Sequence, residues 1–330
     1  MKLLAFLFAC ALTCSQAAYA QQEPILIRFS HVVASDTPKG KAAERFRQLA
    51  EQATGGRVRV RIYPNSQLYR DREELEALQL GAVEMIAPSL SKLGPLGARE
   101  FQVFDLPHMF PDWAALHRVT NGPVGEGMLQ RLRLKGVIGL AFWDNGFKSF
   151  SANRPLNTPS DLAGLRMRIQ PSRVLDAQMR ALGAQPMTLQ FGEVHDALAA
   201  GVVDGTENPP SNFYTQDLQE VQPYFTVSNH GYLGYAVIVN RKFWEGLPPD
   251  IRRELEGAMR EATRYASSIA QEENDQALAA IRASGKTQIH VLTEPEREAW
   301  KKSLAVVSAD MESHIGAELI ADIRRAIASP

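Results

Sequence analysis

From Asp250 to Ala283 the chain runs without a proline, and Ile251, Leu255, Met259, Ala262, Tyr265, Ala266, Ile269 and Ala277 recur at helical spacing. At about 1.5 Å per residue, that helix is on the order of 50 Å long, longer than one small domain is wide. It is therefore expected to lie across two bodies, which the rest of the chain has to supply. Length agrees, because 330 residues at roughly 150 per domain suggest two cores.

Strand and helix signals alternate along the chain. Ile25 to Phe29 is a short apolar strand, and Asp36-Thr37-Pro38-Lys39 caps a helix that stops at Thr54-Gly55-Gly56. Val58, Val60 and Ile62 then alternate with Arg57, Arg59 and Arg61, a strand with one buried and one solvated face. Helices over 70–80 and 112–132, the second interrupted at Gly122-Pro123, flank a buried strand over 83–87. This β-α-β order predicts a largely parallel sheet with helices on both faces. A second α/β set follows: strands over 137–143, 148–151 and 165–169, helices over 172–182 and 192–200, and an apolar strand over 233–240. Thr293-Glu294-Pro295-Glu296 is a capping box that opens the terminal helix.

The first twenty residues read as an address rather than as fold. Lys2 precedes the apolar run Leu3 to Leu12, and Ala18-Tyr19-Ala20 is an A-x-A cleavage signal, so export to the periplasm with cleavage after Ala20 is expected. The run is shorter than the ~20 residues that span a bilayer. Cys10 and Cys14 both fall within the first twenty residues, so the mature chain has no disulfide, cysteine–zinc site or cysteine nucleophile. Removing Lys2, the leader's only charged residue, turns 36 basic against 37 acidic residues into 35 against 37. That near-neutral balance argues against nucleic acid as a partner.

Enzyme templates fail in turn. The chain holds no G-x-x-x-x-G-K-[ST], H-E-x-x-H or G-x-S-x-G pattern, and its histidines show no paired metal spacing, so neither a cofactor nor a metal is expected. What remains is a set of polar residues where strands end, the place where ligands sit in open α/β sheets. Arg168 lies in Gly164-Leu165-Arg166-Met167-Arg168-Ile169, and Lys148 lies just past the turn at Asn145-Gly146. Asn208 lies in Glu207-Asn208-Pro209-Pro210, and Phe191 starts a helix at Phe191-Gly192-Glu193. An Arg fork suits a carboxylate, Lys adds a point charge, Asn a neutral hydrogen bond and Phe an apolar wall. Each also has a plainer reading: a core ion pair for Arg168, a packed side chain for Phe191, a rigid hinge loop for the Asn208 segment.

At these residues the chain resembles the extracytoplasmic solute-binding proteins of tripartite ATP-independent periplasmic (TRAP) transporters. The phrases that carry the resemblance occur in family order: Phe29-Ser30-His31, Thr37-Pro38-Lys39-Gly40, Tyr63-Pro64-Asn65-Ser66-Gln67-Leu68, Gly164-Leu165-Arg166-Met167-Arg168, Phe191-Gly192-Glu193-Val194 and Gly201-Val202-Val203-Asp204-Gly205-Thr206-Glu207-Asn208-Pro209. The resemblance implies a two-lobed, type II-like periplasmic-binding-protein fold with a long helix spanning both lobes. It implies lobe I over 21–145 with 234–270 returning to it, and lobe II over 146–233 with 271–330 on or near it.

It also implies roles. Arg168 would hold the ligand carboxylate in a bidentate pair, Asn208 would contact the ligand and Phe191 would wall it. Where sialic-acid-binding members carry a second Arg and a Glu, this chain has Lys148 and Pro88. Trp143-Asp144-Asn145-Gly146-Phe147-Lys148, Ala87-Pro88-Ser89-Leu90-Ser91-Lys92 and Ser228-Asn229-His230-Gly231-Tyr232-Leu233-Gly234-Tyr235 look instead like the DctP subgroup that binds C4-dicarboxylates such as malate, succinate and fumarate. A dianion needs a cation at each end to offset desolvation. Lys148, Lys39, Arg70 and His31 are the candidates for the second carboxylate, and Ser89 joins the contacts. The expectation is a monomeric receptor, not an enzyme, that closes on its acid and passes it to the small and large membrane subunits. The alternatives are another organic acid (a sugar acid, 2-oxo acid or aromatic acid) or a sensor module for such an acid.

Overall fold

A computed structural model describes residues 23–329. The expected signal segment, with Cys10 and Cys14, lies outside them.

The chain opens with β1 (Ile25–Ser30), α1 (Pro38–Ala53), β2 (Val58–Tyr63), α2 (Asp71–Leu80) and β3 (Met85–Ile86). Thr37 caps α1 by accepting from the Gly40 N–H, with Pro38 at the first helical position, as the sequence predicts. Two 3-10 turns, Leu90–Leu96 and Arg99–Asp105, lead to α3 (Trp113–Thr120) and α4 (Pro123–Arg131), which divide at Gly122. The middle of the chain holds β4 (Val137–Ala152), β5 (Arg166–Ile169), α5 (Arg173–Ala181), β6 (Gln185–Thr188), α6 (Val194–Ala199), β7 (Gly205–Asn208) and α7 (Pro210–Thr215). It ends with β8 (Tyr224–Asn240), α8 (Arg241–Gly246), α9 (Pro249–Ser284), β9 (Gln288–Val291), α10 (Glu294–Asp310), α11 (Glu312–Ile315) and α12 (Ala317–Ala328).

All nine strands join one sheet, ordered β2-β1-β3-β8-β4-β7-β5-β6 with β9 on β8. The parallel pairs β1–β2, β1–β3, β5–β6 and β5–β7 flank two long antiparallel strands, β4 and β8. Those two strands differ from the sequence reading, which stopped at Trp143, resumed at Lys148 and began the later strand only at Leu233. Asn145-Gly146 is not a turn but a register shift between Asp144 and Gly146, opposite Leu233 and Gly234. A bulge absorbs the extra residue without ending the strand. The capping box at Thr293 does start a helix, α10, but two further helices follow it.

Helix α9 is the long helix of the sequence reading, at 36 residues. Leu255, Met259, Ala262 and Ala266 pack with Phe29, Phe46 and Trp143 in one apolar cluster, while Ile281 packs with Val194, Phe213 and Phe225 in another. Between them Asn274 is buried in the β4 irregularity, where its Nδ2 donates to the Asn145 carbonyl at 2.7 Å. A side chain at Gly146 would come within 2.7 Å of that amide, so the close approach of helix and strand requires glycine there.

Gly205 is constrained more severely, because a Cβ would lie 2.3 Å from the Ser151 carbonyl oxygen and 2.8 Å from Met167 Sδ. The Ser151 carbonyl cannot retreat without opening the β4–β7 ladder. Gly205→Ala is expected to cost about 1–3 kcal/mol, read as a thermal midpoint several degrees lower; an unchanged midpoint would contradict this packing.

Candidate functional site

Two sets of parallel strand ends meet in this sheet, and the buried polar residues gather there. On one side His31 follows β1, Lys39 lies in the first turn of α1, and Ser89 follows β3. On the other, Arg168 on β5 pairs in register with Thr206 on β7, and Asn208 on β7 pairs with Ser149 on β4, next to Lys148. The two sides touch: the Ser89 hydroxyl donates to Gln170 Oε1, and Asp71 Oδ2 accepts the Phe191 N–H at 2.6 Å. Val32, Val33 and Phe191 close an apolar seam beside them. Seven of the eight candidates are 5% exposed or less, although they lie up to 177 positions apart in the chain, from His31 to Asn208.

Arg168 is 1% exposed. Its Nε and Nη2 both donate to the Leu189 carbonyl, at 3.2 and 3.0 Å, and its Cζ lies 5.9 Å from the Phe191 ring centroid. Burial lowers its pKa from the usual value, opposed by the nearby charges of Asp71, Glu207 and Glu193. Among the described residues the Asn208 side chain makes only a long 3.5 Å contact, from Nδ2 to Thr206 Oγ1, so its amide retains hydrogen-bonding capacity.

Lys39 is equally buried. Its Nζ donates to the Ala87 carbonyl at 2.9 Å and sits 3.9 Å above the Tyr235 ring centroid. Desolvation lowers its pKa to about 7, opposed by the charges of Glu74 and Asp71 and reinforced by Lys92. Glu74, buried with both oxygens unpartnered among the described residues, is pushed up to about 8 by burial and by Asp71. His31 is fully buried with neither ring nitrogen paired among the described residues, and burial together with Lys39 holds it at about 3, so it is neutral at physiological pH.

Lys148 belongs to a different network. Its Nζ donates to Glu207 Oε1 at 2.8 Å and approaches Asp105 Oδ1 at 3.4 Å. Glu207 Oε2 lies 2.9 Å from His230 Nε2, and that imidazole stacks on Phe150 at 3.7 Å between centroids. Burial opposes ionisation of Glu207, but Lys148 and His230 outweigh it and hold the carboxyl at about 2. Arg70 stands apart from all of these. It is exposed at the start of α2 and lines an open cavity of about 410 Å³ with Asn65, Gln190, Gly192 and Glu193.

Gln170, Tyr235, Asp71 and Lys92 were not among the sequence candidates. Gln170 was readable, since it directly follows the last residue of β5, at a strand end where ligands sit in open α/β sheets. The buried Lys92–Asp71 ion pair was not, because it bridges α2 to a 3-10 turn that has no period-2 or period-3.6 signature. Among the described residues no cluster of His, Cys, Asp and Glu could hold a metal ion, and no helix is long and apolar enough to cross a membrane.

Residues 29–314 match the family described as bacterial extracellular solute-binding protein, family 7, DctP. The C4-dicarboxylate-binding periplasmic protein DctP of Rhodobacter capsulatus is 59% identical over 97% of this chain and 96% of its own length. A TRAP periplasmic solute-binding protein from Shewanella oneidensis, solved with bound succinate, superposes with a TM-score of 0.90 at 40% identity, covering 92% of this chain and 99% of its own. One from Pseudomonas aeruginosa, solved with bound L-malate, gives 0.85 at 43% identity, covering 87% and 100%. The expected fold, two α/β lobes braced by a long helix, is the fold of these proteins, and their family is one of receptors rather than enzymes. The chain belongs to the DctP family of bacterial extracellular solute-binding proteins, the receptors of TRAP transporters.

Proposed function

We propose that this protein captures a C4-dicarboxylate such as succinate, malate or fumarate in the periplasm and delivers it to the small and large membrane subunits of a TRAP transporter. One observation carries the choice of a diacid: two fully buried cations, Arg168 and Lys39, stand on the two facing sets of strand ends with donors left over. The Leu189 carbonyl takes the Nε/Nη2 edge of Arg168 and leaves the Nη1/Nη2 end for a carboxylate. The Lys39 ammonium has three donors and spends one on Ala87. A dianion supplies the two counter-charges that burial of these groups demands. His31, neutral and unpartnered, Ser89 and Asn208 complete the polar lining, and Phe191 walls the Arg168 end.

In this reading Lys148 supports the site through Glu207, the residue before Asn208, instead of meeting the second carboxylate itself. Arg70 lies at the mouth. The reading divides the lobes near 145/146 and 233/234, and the register shift shared by β4 and β8 at both positions supports that division. Closure follows only to the extent that the acid binds the closed form better.

A thermal-shift screen of the chain from Gln21 onward tests the ligand class, since an acid at a hundred times its Kd adds about 2.7 kcal/mol of stability. Succinate, malate and fumarate should raise the midpoint by several degrees and their monocarboxylate analogues much less; a sugar or aromatic acid outperforming them would overturn the diacid assignment. Arg168→Ala should weaken every acid at least thirtyfold, about 2 kcal/mol or more, in calorimetry on a still-folded protein. For Lys148→Ala the expected loss is in stability, about 3–5 kcal/mol in denaturant unfolding, because buried Glu207 and Asp105 lose the lysine cation they share. Glu207 adds an acid limit of known sign. Its pKa is depressed from 4.5 to about 2, so the stability it contributes is complete above 4.5 and is lost as pH falls toward 2. Glu207→Gln should flatten that part of the stability profile.

A further inference from the structure

Tyr235 has no counterpart among the residues assigned so far. It lies on β8, is 2% exposed, and presents its ring face to the Lys39 ammonium at 3.9 Å. Its hydroxyl accepts from Asn145 Nδ2 at 2.7 Å and from Asn212 Nδ2 at 3.4 Å. Asn145 in turn donates to Asn212 Oδ1 at 2.8 Å and accepts from the Ser211 hydroxyl at 3.0 Å, while Asn274 of α9 binds the Asn145 carbonyl and the Ser211 N–H. The ring is therefore fastened to the β4 irregularity, to α7 and to the long helix at once. Every side chain in this network is buried, and each amide finds partners within it.

That fastening matters because of what the ring faces. A lysine ammonium deprived of water loses its charge unless something else stabilises the ionised form. A carboxylate directly on Nζ would do so, but it would also consume the donors and neutralise the cation, as Glu207 does for Lys148. An aromatic face stabilises the charge without taking a hydrogen bond. We infer that Tyr235 is a positioning residue for diacid selectivity: its anchored ring keeps Lys39 charged and in place while leaving two ammonium donors for the second carboxylate. The inference rests on the dicarboxylate reading above and names the residue that makes its second cation usable.

Other charged and titratable groups around Lys39 are Glu74 and Asp71 on α2, Lys92 in the 3-10 turn after β3, and His31 after β1. Burial pushes Tyr235 itself up to about 12, so the ring stays neutral throughout the range in which Lys39, near 7, changes charge. Succinate affinity should therefore fall as pH rises from 6 to 9 and Lys39 loses its proton.

The test is calorimetric titration of the wild-type chain, Tyr235→Leu and Tyr235→Phe with succinate and with butyrate, a monoacid of the same chain length, between pH 6 and 9. Tyr235→Leu should weaken succinate at least tenfold and butyrate less than threefold, and should move the fall in succinate affinity to lower pH. In a Lys39→Met background the same substitution should cost succinate nothing further. Equal loss of both acids, an unmoved pH profile, or succinate binding within twofold of wild type overturns the inference. If Tyr235→Leu does not fold, Tyr235→Phe decides: it keeps the ring and removes its anchor, so a succinate-selective loss of threefold or more upholds the positioning role and no loss refutes it. Failure of the dicarboxylate reading has a separate signature, a wild-type chain that gives no heat with succinate, and that result overturns both.

Discussion

Three positive charges with almost no access to water organise this protein. Arg168, Lys148 and Lys39 are each 1% exposed, and moving an ion from water to a protein interior costs several kcal/mol unless it is compensated. The three are compensated differently. Lys148 has full carboxylate partners in Glu207 and Asp105. Arg168 has a backbone carbonyl, and Lys39 has a carbonyl and an aromatic face. The first arrangement is complete in itself and fixes structure, whereas the other two leave positive charge unbalanced at the place where two sets of strand ends face each other. In the proposed reading, the anion binds where the compensation of buried charge was left unfinished.

The strands β4 and β8 decide how that cleft can be assembled from one continuous sheet. Both run through the whole sheet, and their shared register shift at Asp144–Gly146 lies against the long helix, with Asn274 filling the gap. Strand, helix and irregularity therefore coincide at one level of the molecule, with the Lys39 side above and the Arg168 side below. Along α9 the apolar packing falls into two clusters, with Phe46 and Trp143 in one and Phe213 and Phe225 in the other, while a third cluster runs past this level from Ile86 and Phe142 to Phe150 and Met179. The level itself is held by amide hydrogen bonds, which are directional and localised where apolar contact is neither.

Much of this was legible in the sequence, for reasons that can be named. The long helix announced itself through a proline-free period, α1 through its Thr-Pro start, and Arg168, Asn208 and Phe191 through their places at strand and helix ends. What could not be read were features whose determinants are distant. Asn145-Gly146 carries the composition of a turn, and only Asn274, far along the chain, shows why it is a bulge within a strand. The four candidates for a second cation could not be ranked from their places in the sequence; their partners in the fold distinguish them, since Glu207 meets Lys148 across neighbouring strands and, among the described residues, no carboxylate within hydrogen-bonding distance meets Lys39. Tyr235 falls within the apolar strand read over 233–240, and nothing local to it signals the ammonium above its ring.

The hydrogen bonds from Arg168 to the Leu189 carbonyl carry a consequence for how fast and how well an acid is taken up. Their acceptor belongs to the protein itself, so the long arginine side chain, costly to order, is already restrained in the folded protein. Capture then freezes little beyond the acid itself, and more of the interaction energy survives as affinity. The same restraint fixes the plane in which a carboxylate must arrive. The receptor thereby selects by direction of approach before any contact is made with the rest of the molecule.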